Sequence, residues 1–311
     1  MPVNPKRSGE NRSRISPELS QRIARREQLR RRIMHRRIAG LAGGLCLLAA
    51  LIVLLVAVLR KEPPAPPETE KQYIYLWDSA IEVDPNYPAS TISASSFVTV
   101  GDRKRYLSGS VQSSTGIDVS QHNGEIDWEA VAADGIEFAM IRVGYRGYTE
   151  GEIYMDERFA ENYAGAREAG LKVGVYFFSQ AVNAEEAREE AEFTLDALKG
   201  LKLDLPVAFD WETIGEENAR ADDIDRDTLT ACTLEFCRKV SKKFDAMIYT
   251  NAYQGYYLLN LGELADYPIW FAGYAQTPIF YYRFDIWQYT NEGAVAGIEG
   301  NVDVNLCFTE L

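Results

Sequence analysis

Four carboxylates stand at or near the ends of predicted strands, in a chain with few other groups suited to proton transfer. They are Asp118, Asp210, Glu212 and Asp303, and we assign each to the C-terminal end of a mostly apolar strand. A carboxylate in an apolar strand is costly unless it is paired or hydrogen-bonded, so one alone is typical of a structural ion pair. Four acids at equivalent strand ends instead predict a functional cluster.

Asp210 and Glu212 are two residues apart on one predicted strand. Because strand side chains alternate, both acids point to one side and Trp211 to the other, with Cα atoms roughly 6.5–7 Å apart. Two acids this close repel as anions, so the pKa of one should rise. A protonated acid beside an ionised carboxylate is the pair that glycosidic bond cleavage needs.

Histidine and cysteine offer little competing chemistry. His35 lies in a basic segment, which leaves His122 for any site elsewhere, so a two-histidine metalloprotease helix is excluded. Cys232, Cys237 and Cys307 are odd in number and form no C-x-x-C pair, so we expect buried, unpaired thiols. No metal site and no cofactor is predicted.

The region from residue 112 onward alternates strand and helix patterns and then ends in strands alone. Eight strands are predicted, at 116–120, 136–144, 171–180, 205–212, 245–250, 267–274, 284–290 and 300–305. Continuous apolar runs indicate strands buried on both faces. We therefore predict an α/β fold, a TIM-like barrel of five β/α units followed by three strands. A doubly wound open sheet is the alternative, but no G-x-G-x-x-G follows a strand.

The N-terminal segment differs in charge from the rest of the chain. Residues 1–37 hold twelve Lys/Arg and three Asp/Glu, a net charge of +9, whereas the remainder carries −22. Residues 38–59 contain no charge, and a helix of that length spans roughly 33 Å, enough for a bilayer core. A cleavable signal peptide is the competing interpretation, but its apolar region is usually shorter. The positive-inside rule predicts a cytoplasmic N-terminus and an extracellular C-terminal domain.

A proline-rich segment, 62–70, follows the apolar run and predicts a stiff spacer. Residues 71–110 are expected to form a stalk, with a hairpin around Gly101-Asp102. The predicted division is a basic tail at 1–37, a transmembrane helix at 38–59, a linker and stalk at 60–111, and a barrel at 112–311. The tail is interpreted as a topology signal beside anionic headgroups, and nucleic acid is not expected as a partner.

Taken together and in order, several motifs give a family resemblance over residues 115–311. They are GIDVSQHNGEIDW, IRVGYRG, LKVGVYFFS, LPVAFDWE, IYTN, IWFAGY, DIWQYT and GNVDVN. The set resembles glycoside hydrolase family 25, the Chalaropsis-type lysozymes. The resemblance implies hydrolysis of the β-1,4 bond between N-acetylmuramic acid and N-acetylglucosamine in the glycan strands of peptidoglycan. The topology predicted from the N-terminal charges places this reaction at the outer face of the cytoplasmic membrane.

The resemblance also implies a role for each acid. Glu212 would be the general acid, and Asp210 would polarise the substrate's N-acetyl group or support the oxocarbenium-like centre. Asp118 and Asp303 would complete an acidic floor. Substrate contacts are expected from seven side chains at or near strand ends: Tyr176, Tyr274, Trp287, Gln288, Tyr145, Phe178 and His122.

Other functions remain open at this stage. A non-catalytic wall-binding module could retain the same pocket, and a membrane scaffold could act through its basic tail. A chitinase-like hydrolase would also end a strand with an acid pair, but of its D-x-x-D-x-D-x-E pattern only Asp210 and Glu212 are present.

Overall fold

A long helix precedes the folded domain. The computed structural model describes residues 17–59, 71–109 and 111–309, which form two units divided between Glu70 and Lys71. Helix α1 (Pro17–Leu59) continues without a break from the basic segment into the apolar run. Its residues 25–55 are long and apolar enough to cross a membrane, a test of length and composition that an N-terminal signal sequence also passes. The predicted spacer at 62–70 lies outside the described residues.

The second unit begins with two small antiparallel sheets. Their strands are β1 (Tyr73–Leu76), β2 (Ser79–Glu82), β3 (Phe97–Val100), β4 (Arg103–Ser108) and β5 (Val111–Gln112). The hairpin predicted around Gly101-Asp102 is present as the β3–β4 pair. The segment expected to be a stalk belongs to the same compact unit as the barrel. One of its contacts is a hydrogen bond of 3.0 Å from the Gly262 amide to Asp84 Oδ2.

Nine further strands form the main sheet: β6 (Ser114–Val119), β7 (Phe138–Arg146), β8 (Ile153–Met155), β9 (Lys172–Ser179), β10 (Val207–Trp211), β11 (Ala246–Asn251), β12 (Ile269–Ala272), β13 (Ile286–Gly293) and β14 (Val302–Cys307). Eight of them close into a barrel in the order β6-β14-β13-β12-β11-β10-β9-β7, with β7 pairing back to β6. The additional strand, β8, is antiparallel to β7. The predicted eight-stranded barrel is therefore confirmed. Within it, β14 runs antiparallel to both of its neighbours.

Four α-helices cover the first part of the barrel: α2 (Trp128–Ala133), α3 (Phe159–Glu168), α4 (Ala184–Ala197) and α5 (Arg226–Val240). The N-cap side chains Asp127, Asn183 and Asp225 each accept a backbone N–H in the first turn of α2, α4 and α5, which fixes where those helices begin. A short π-helix, Gln254–Leu258, follows β11 and completes the fifth β/α unit. The last three strands are joined without α-helices, as predicted.

The barrel has two apolar cores, one inside the strands and one between strands and helices. The inner core includes Phe138, Met140, Tyr176, Met247 and Trp270. Gly116 is required beside it, because a Cβ there would lie 2.4 Å from the Phe138 ring. The outer core includes the buried thiols of Cys232 and Cys237, and Cys307 is buried in the inner one, so the expectation of unpaired, buried cysteines is confirmed.

Candidate active site

Asp210 and Glu212 lie at the barrel mouth on either side of Trp211. Phe209 and Trp211 pack in the outer core, so Asp210 between them points into the barrel. Glu212 directly follows β10 and is half-buried, whereas Asp210 is only 5% exposed. The alternation of β10 therefore brings both acids to one face.

Asp118 and Asp303 close the acidic cluster from the other side of the mouth. They are Cα partners in the antiparallel ladder between β6 and β14. The expectation that Asp303 ends its strand is wrong, because Asp303 is the second residue of β14. Since β14 runs antiparallel to β6, the start of one strand and the end of the other meet at the same edge of the barrel.

A hydrogen-bond network holds the Asp118 carboxylate. Its Oδ2 accepts from Gln288 Nε2 at 2.9 Å and from Asn305 Nδ2 at 2.7 Å. Asn305 Oδ1 in turn accepts from the Trp270 indole at 2.7 Å, which fixes the orientation of the amide. Gln288 Oε1 accepts from the Tyr249 hydroxyl at 3.1 Å. Asp118 is therefore positioned by neutral donors from other strands.

Burial and mutual repulsion raise the pKa values of the two buried acids. Burial raises the pKa of Asp118 well above its ordinary range, and the charge of Asp303 adds to the effect. Burial, then the charges of Glu212 and Asp118, likewise raise the pKa of Asp210, while the Arg142 guanidinium opposes them. Asp210 Oδ1 is buried and has no hydrogen-bond partner among the described residues, which agrees with a strong preference for the neutral form.

The two half-buried acids, Glu212 and Asp303, have pKa values near pH 7, raised less than those of the two buried acids. Burial and the charge of Asp303 raise the pKa of Glu212 to about 7. Burial raises the pKa of Asp303 to about 6. An acid with a pKa near 7 holds its proton in a large fraction of molecules at neutral pH and can both give and recover it. Glu212 therefore has the protonation behaviour of a general acid.

Arg142 is a charged residue of the mouth that the sequence analysis missed. Its Nε donates to Asp156 Oδ2 at 2.8 Å, and its guanidinium lies 5.1 Å from the Tyr145 ring centroid. Asp156 Oδ2 also accepts the Gln121 amide at 3.0 Å, which ties the loop after β6 to this ion pair. An arginine inside the apolar run of β7 was the available signal, since a buried charge requires a partner.

Three of the predicted contact residues meet beside this arginine. His122, Tyr145 and Phe178 line one cavity of about 510 Å³, together with Arg142. His122 lies in a short 3-10 turn whose backbone is held by the Ser120 side chain. The cavity therefore joins the ends of β6, β7 and β9 into one concave surface.

The remaining predicted contacts separate into three groups. The Tyr274 hydroxyl donates to Gln288 Oε1 at 2.9 Å while the residue is 56% exposed, so its ring stands at the rim. Tyr176 is 9% exposed and packs edge-on against Trp270 in the inner core. The expectation that Trp287 lines the pocket is wrong. Gln288 points inward, so its neighbour Trp287 points outward, is fully buried, and packs against Phe97.

Two glutamines that the sequence analysis did not select hold the backbone of the acid-bearing segment. Gln254 Nε2 donates to the Trp211 carbonyl at 3.0 Å, and Gln180 Nε2 donates to the Glu212 carbonyl at 2.9 Å. Both are buried, so the segment carrying the acids is fixed by side chains from the flanking β/α loops. Over 17–59, 71–109 and 111–309, no three His, Cys, Asp or Glu side chains are arranged as a metal site.

Comparison with known proteins identifies the family. The model of glycosyl hydrolases family 25 matches residues 117–298, more than half of the chain. The chain belongs to this family. It is 31% identical over 194 residues to an autolytic lysozyme of Clostridium acetobutylicum, covering 61% of this chain and 54% of that protein. It is 30% identical over 201 residues to lysozyme M1 of Streptomyces globisporus, covering 61% and 66%.

A solved family member has the same fold. The structure of a family 25 glycosyl hydrolase from Bacillus anthracis superimposes with a TM-score of 0.55 at 21% identity, covering 68% of this chain and 96% of that one. The family 25 chain described here spans about half the length of the clostridial lysozyme. The four acids and the cavity beside Arg142 are all contributed by β6 to β14 and the loops that follow these strands.

Proposed function

We propose that the chain is a muramidase that hydrolyses the β-1,4 bond between N-acetylmuramic acid and N-acetylglucosamine in peptidoglycan. Membership of family 25 supports this proposal, as do two relatives whose names describe lysozymes. The observation that bears most weight is the pair at the mouth. Glu212, with a pKa of about 7, stands two residues from the buried Asp210.

Glu212 acts in this proposal as the proton donor. It protonates the bridging oxygen as the bond to the anomeric carbon breaks, and the departing sugar leaves with a hydroxyl group. Asp210 takes part in its ionised form, in which it supports the positive charge that develops at the anomeric centre, directly or through the substrate's N-acetyl group. Because Asp210 and Glu212 repel as anions, the ionised Asp210 favours the state in which Glu212 holds the proton. A water molecule then adds to that carbon and returns a proton to Glu212. The charge of Asp303 raises the pKa of Glu212, which helps the donor to hold its proton, and the charge of Asp118 raises the pKa of Asp210.

The glycan contacts in this proposal surround the acids. Tyr274 at the rim offers a ring face to a sugar, and His122, Tyr145 and Phe178 offer a second surface in the cavity beside Arg142. Gln288 orients Asp118 and the two tyrosines rather than binding the sugar directly, because its amide is already hydrogen-bonded to Asp118 and to two tyrosine hydroxyls.

We further propose that the apolar part of α1 is an uncleaved anchor across the cytoplasmic membrane. Residues 1–37 would remain inside because of their +9 charge, and the folded unit that begins at Lys71 would face the wall, beyond the proline-rich segment at 62–70. Carbonate extraction of membranes tests this topology. An anchored chain stays in the pellet and loses its barrel to external protease, whereas a secreted chain begins after residue 59 and is soluble.

Mass analysis of digested peptidoglycan tests the activity. Purified sacculi treated with the chain should yield fragments with N-acetylmuramic acid at the new reducing ends. Reducing-end N-acetylglucosamine would identify a glucosaminidase instead, and no new reducing ends would favour a wall-binding module without turnover.

A further inference from the structure

An exposed tryptophan occupies an unfavourable backbone conformation at the tip of the β1–β2 hairpin. Trp77 and Asp78 form the two-residue turn, with φ angles of +51° and +58°. Two-residue turns of this kind favour Asn and Gly, and a bulky side chain at positive φ costs free energy. Trp77 is nevertheless 53% exposed. A strained, solvent-facing indole contributes little to a core, so its position calls for another explanation.

The indole belongs to a cluster of exposed rings. Trp77 stacks on Tyr257, with ring centroids 6.4 Å apart and planes inclined by 25°. Tyr257 packs against Tyr253 at 5.4 Å. The two tyrosines are 38% and 54% exposed. We name Trp77, Tyr253 and Tyr257 the aromatic patch.

Two rings of the aromatic patch follow the C-terminal end of β11, the end of the barrel that carries the acidic mouth. Tyr253 and Tyr257 follow the end of β11, the strand beside β10. Between them lies Gln254, the residue that bonds the carbonyl of Trp211 between the two acids. Tyr253 of the patch is therefore the sequence neighbour of a residue that hydrogen-bonds the segment carrying the two acids.

The hairpin is held against the barrel rather than free in solution. Tyr87, just after β2, is 2% exposed, and its hydroxyl donates to the Tyr267 carbonyl at 3.0 Å. The Asp84 amide donates to the Tyr282 hydroxyl at 2.8 Å. These contacts hold the segment that follows the hairpin against the barrel, and Trp77 itself stacks on Tyr257, so the three rings form a preorganised surface.

We propose that the aromatic patch is a distal sugar-binding surface that extends the glycan cleft, formed by two rings of the family domain and by Trp77, which lies outside the residues 117–298 that the family model matches. Flat, rigid rings pack on the C–H faces of pyranoses and lose little conformational entropy in doing so. The residues after position 37 carry a net charge of −22, which opposes adsorption of this face to anionic lipid headgroups. This inference rests on the proposed muramidase function.

Substrate length separates the aromatic patch from the active site. The full chain in detergent micelles is assayed on long peptide-free glycan strands and on a peptidoglycan tetrasaccharide. Trp77→Ala and Tyr257→Ala should each raise KM for long strands by about three- to tenfold, leaving kcat and tetrasaccharide turnover unchanged. Trp77→Tyr should bring KM for long strands most of the way back to that of the unmodified chain. Tyr75→Ala is the matched control, because Tyr75 is 83% exposed on the same hairpin and its ring is not in the patch.

Three outcomes would overturn the proposal. The first is that KM for long strands is unchanged in Trp77→Ala and Tyr257→Ala, and the second is that KM changes equally for both substrates. The third is that Trp77→Ala weakens binding to phosphatidylglycerol vesicles while leaving KM for glycan unaltered. Cosedimentation of the chain with long glycan strands measures the same contrast without turnover. If neither substrate is cleaved, the proposed function fails, and a loss of cosedimentation in Trp77→Ala still supports the patch.

Discussion

Asp118 and Asp303 face each other across the seam that closes the barrel, as Cα partners of β6 and β14. Like charges directly opposite in an antiparallel pair are destabilising, so this pair lowers the stability of the fold. The charge of Asp303 also acts on an acid across the mouth, because it helps to raise the pKa of Glu212 to about 7.

Asp303→Asn should shift the alkaline limb of the pH profile to lower pH. In the proposed mechanism, activity requires protonated Glu212 and is lost as pH rises through its pKa, and removing the charge of Asp303 lowers that pKa. The measurement is kcat/KM for peptidoglycan between pH 5 and pH 9. Glu299→Gln, in the exposed loop before β14, is the control. An alkaline limb that stays in place or moves upward would contradict the assigned coupling.

The acidic mouth should make the domain more stable at pH 5 than at pH 8. Glu212 has a pKa of 4.5 when exposed and about 7 when folded, so the folded state binds protons more tightly. The stabilisation is complete below the lower value and is lost as pH rises through the higher one. Burial acts in the same direction on Asp210. The thermal midpoint should therefore fall by about 3 °C or more over this range.

Asp210→Asn should reduce the loss of stability between pH 5 and pH 8 and raise the thermal midpoint at pH 8. It replaces a buried carboxylate whose Oδ1 has no hydrogen-bond partner in the described part of the chain. It should also reduce activity strongly, as expected where stability and function compete. A midpoint at pH 8 below that of the unmodified chain would be inconsistent with a strained, buried acid.

Gln254→Leu should lower kcat by about three- to tenfold without moving the pH profile. The substitution removes the donor at 3.0 Å that holds the Trp211 carbonyl, so the two acids lose orientation but keep their charge environment. Steady-state kinetics across pH separates the two effects. Gln276→Leu, at an exposed position, is the matched control. A displaced pH profile, or an equal loss in the control, would refute a purely positional role.

The sequence sufficed for the barrel because its strands are short apolar runs separated by helix caps such as Asn183 and Asp225. It also predicted which acids meet, since Asp118, Asp210 and Glu212 stand where parallel strands end. The direction of β14 was not predictable, because no helix or turn motif distinguishes a parallel from an antiparallel last strand.

Alternation could have corrected one expectation and added one residue to the predicted site. Gln288 and Trp287 are adjacent on one strand, so they could not both face the site, and Asn305 shares a face with Asp303. The packing of residues 71–109 against the barrel could not be predicted from local sequence patterns. It depends on contacts such as Asp84 with Gly262, whose partners are far apart in the chain.

The proposed mechanism depends most on Glu212 as the proton donor, and Glu212→Gln tests that role directly. The matched variant is Glu216→Gln, an exposed acid in the same loop. Release of N-acetylmuramic acid reducing ends from purified peptidoglycan should fall by about 10²-fold or more in Glu212→Gln and stay unchanged in Glu216→Gln. Release by Glu212→Gln at the rate of the unmodified chain would contradict the account.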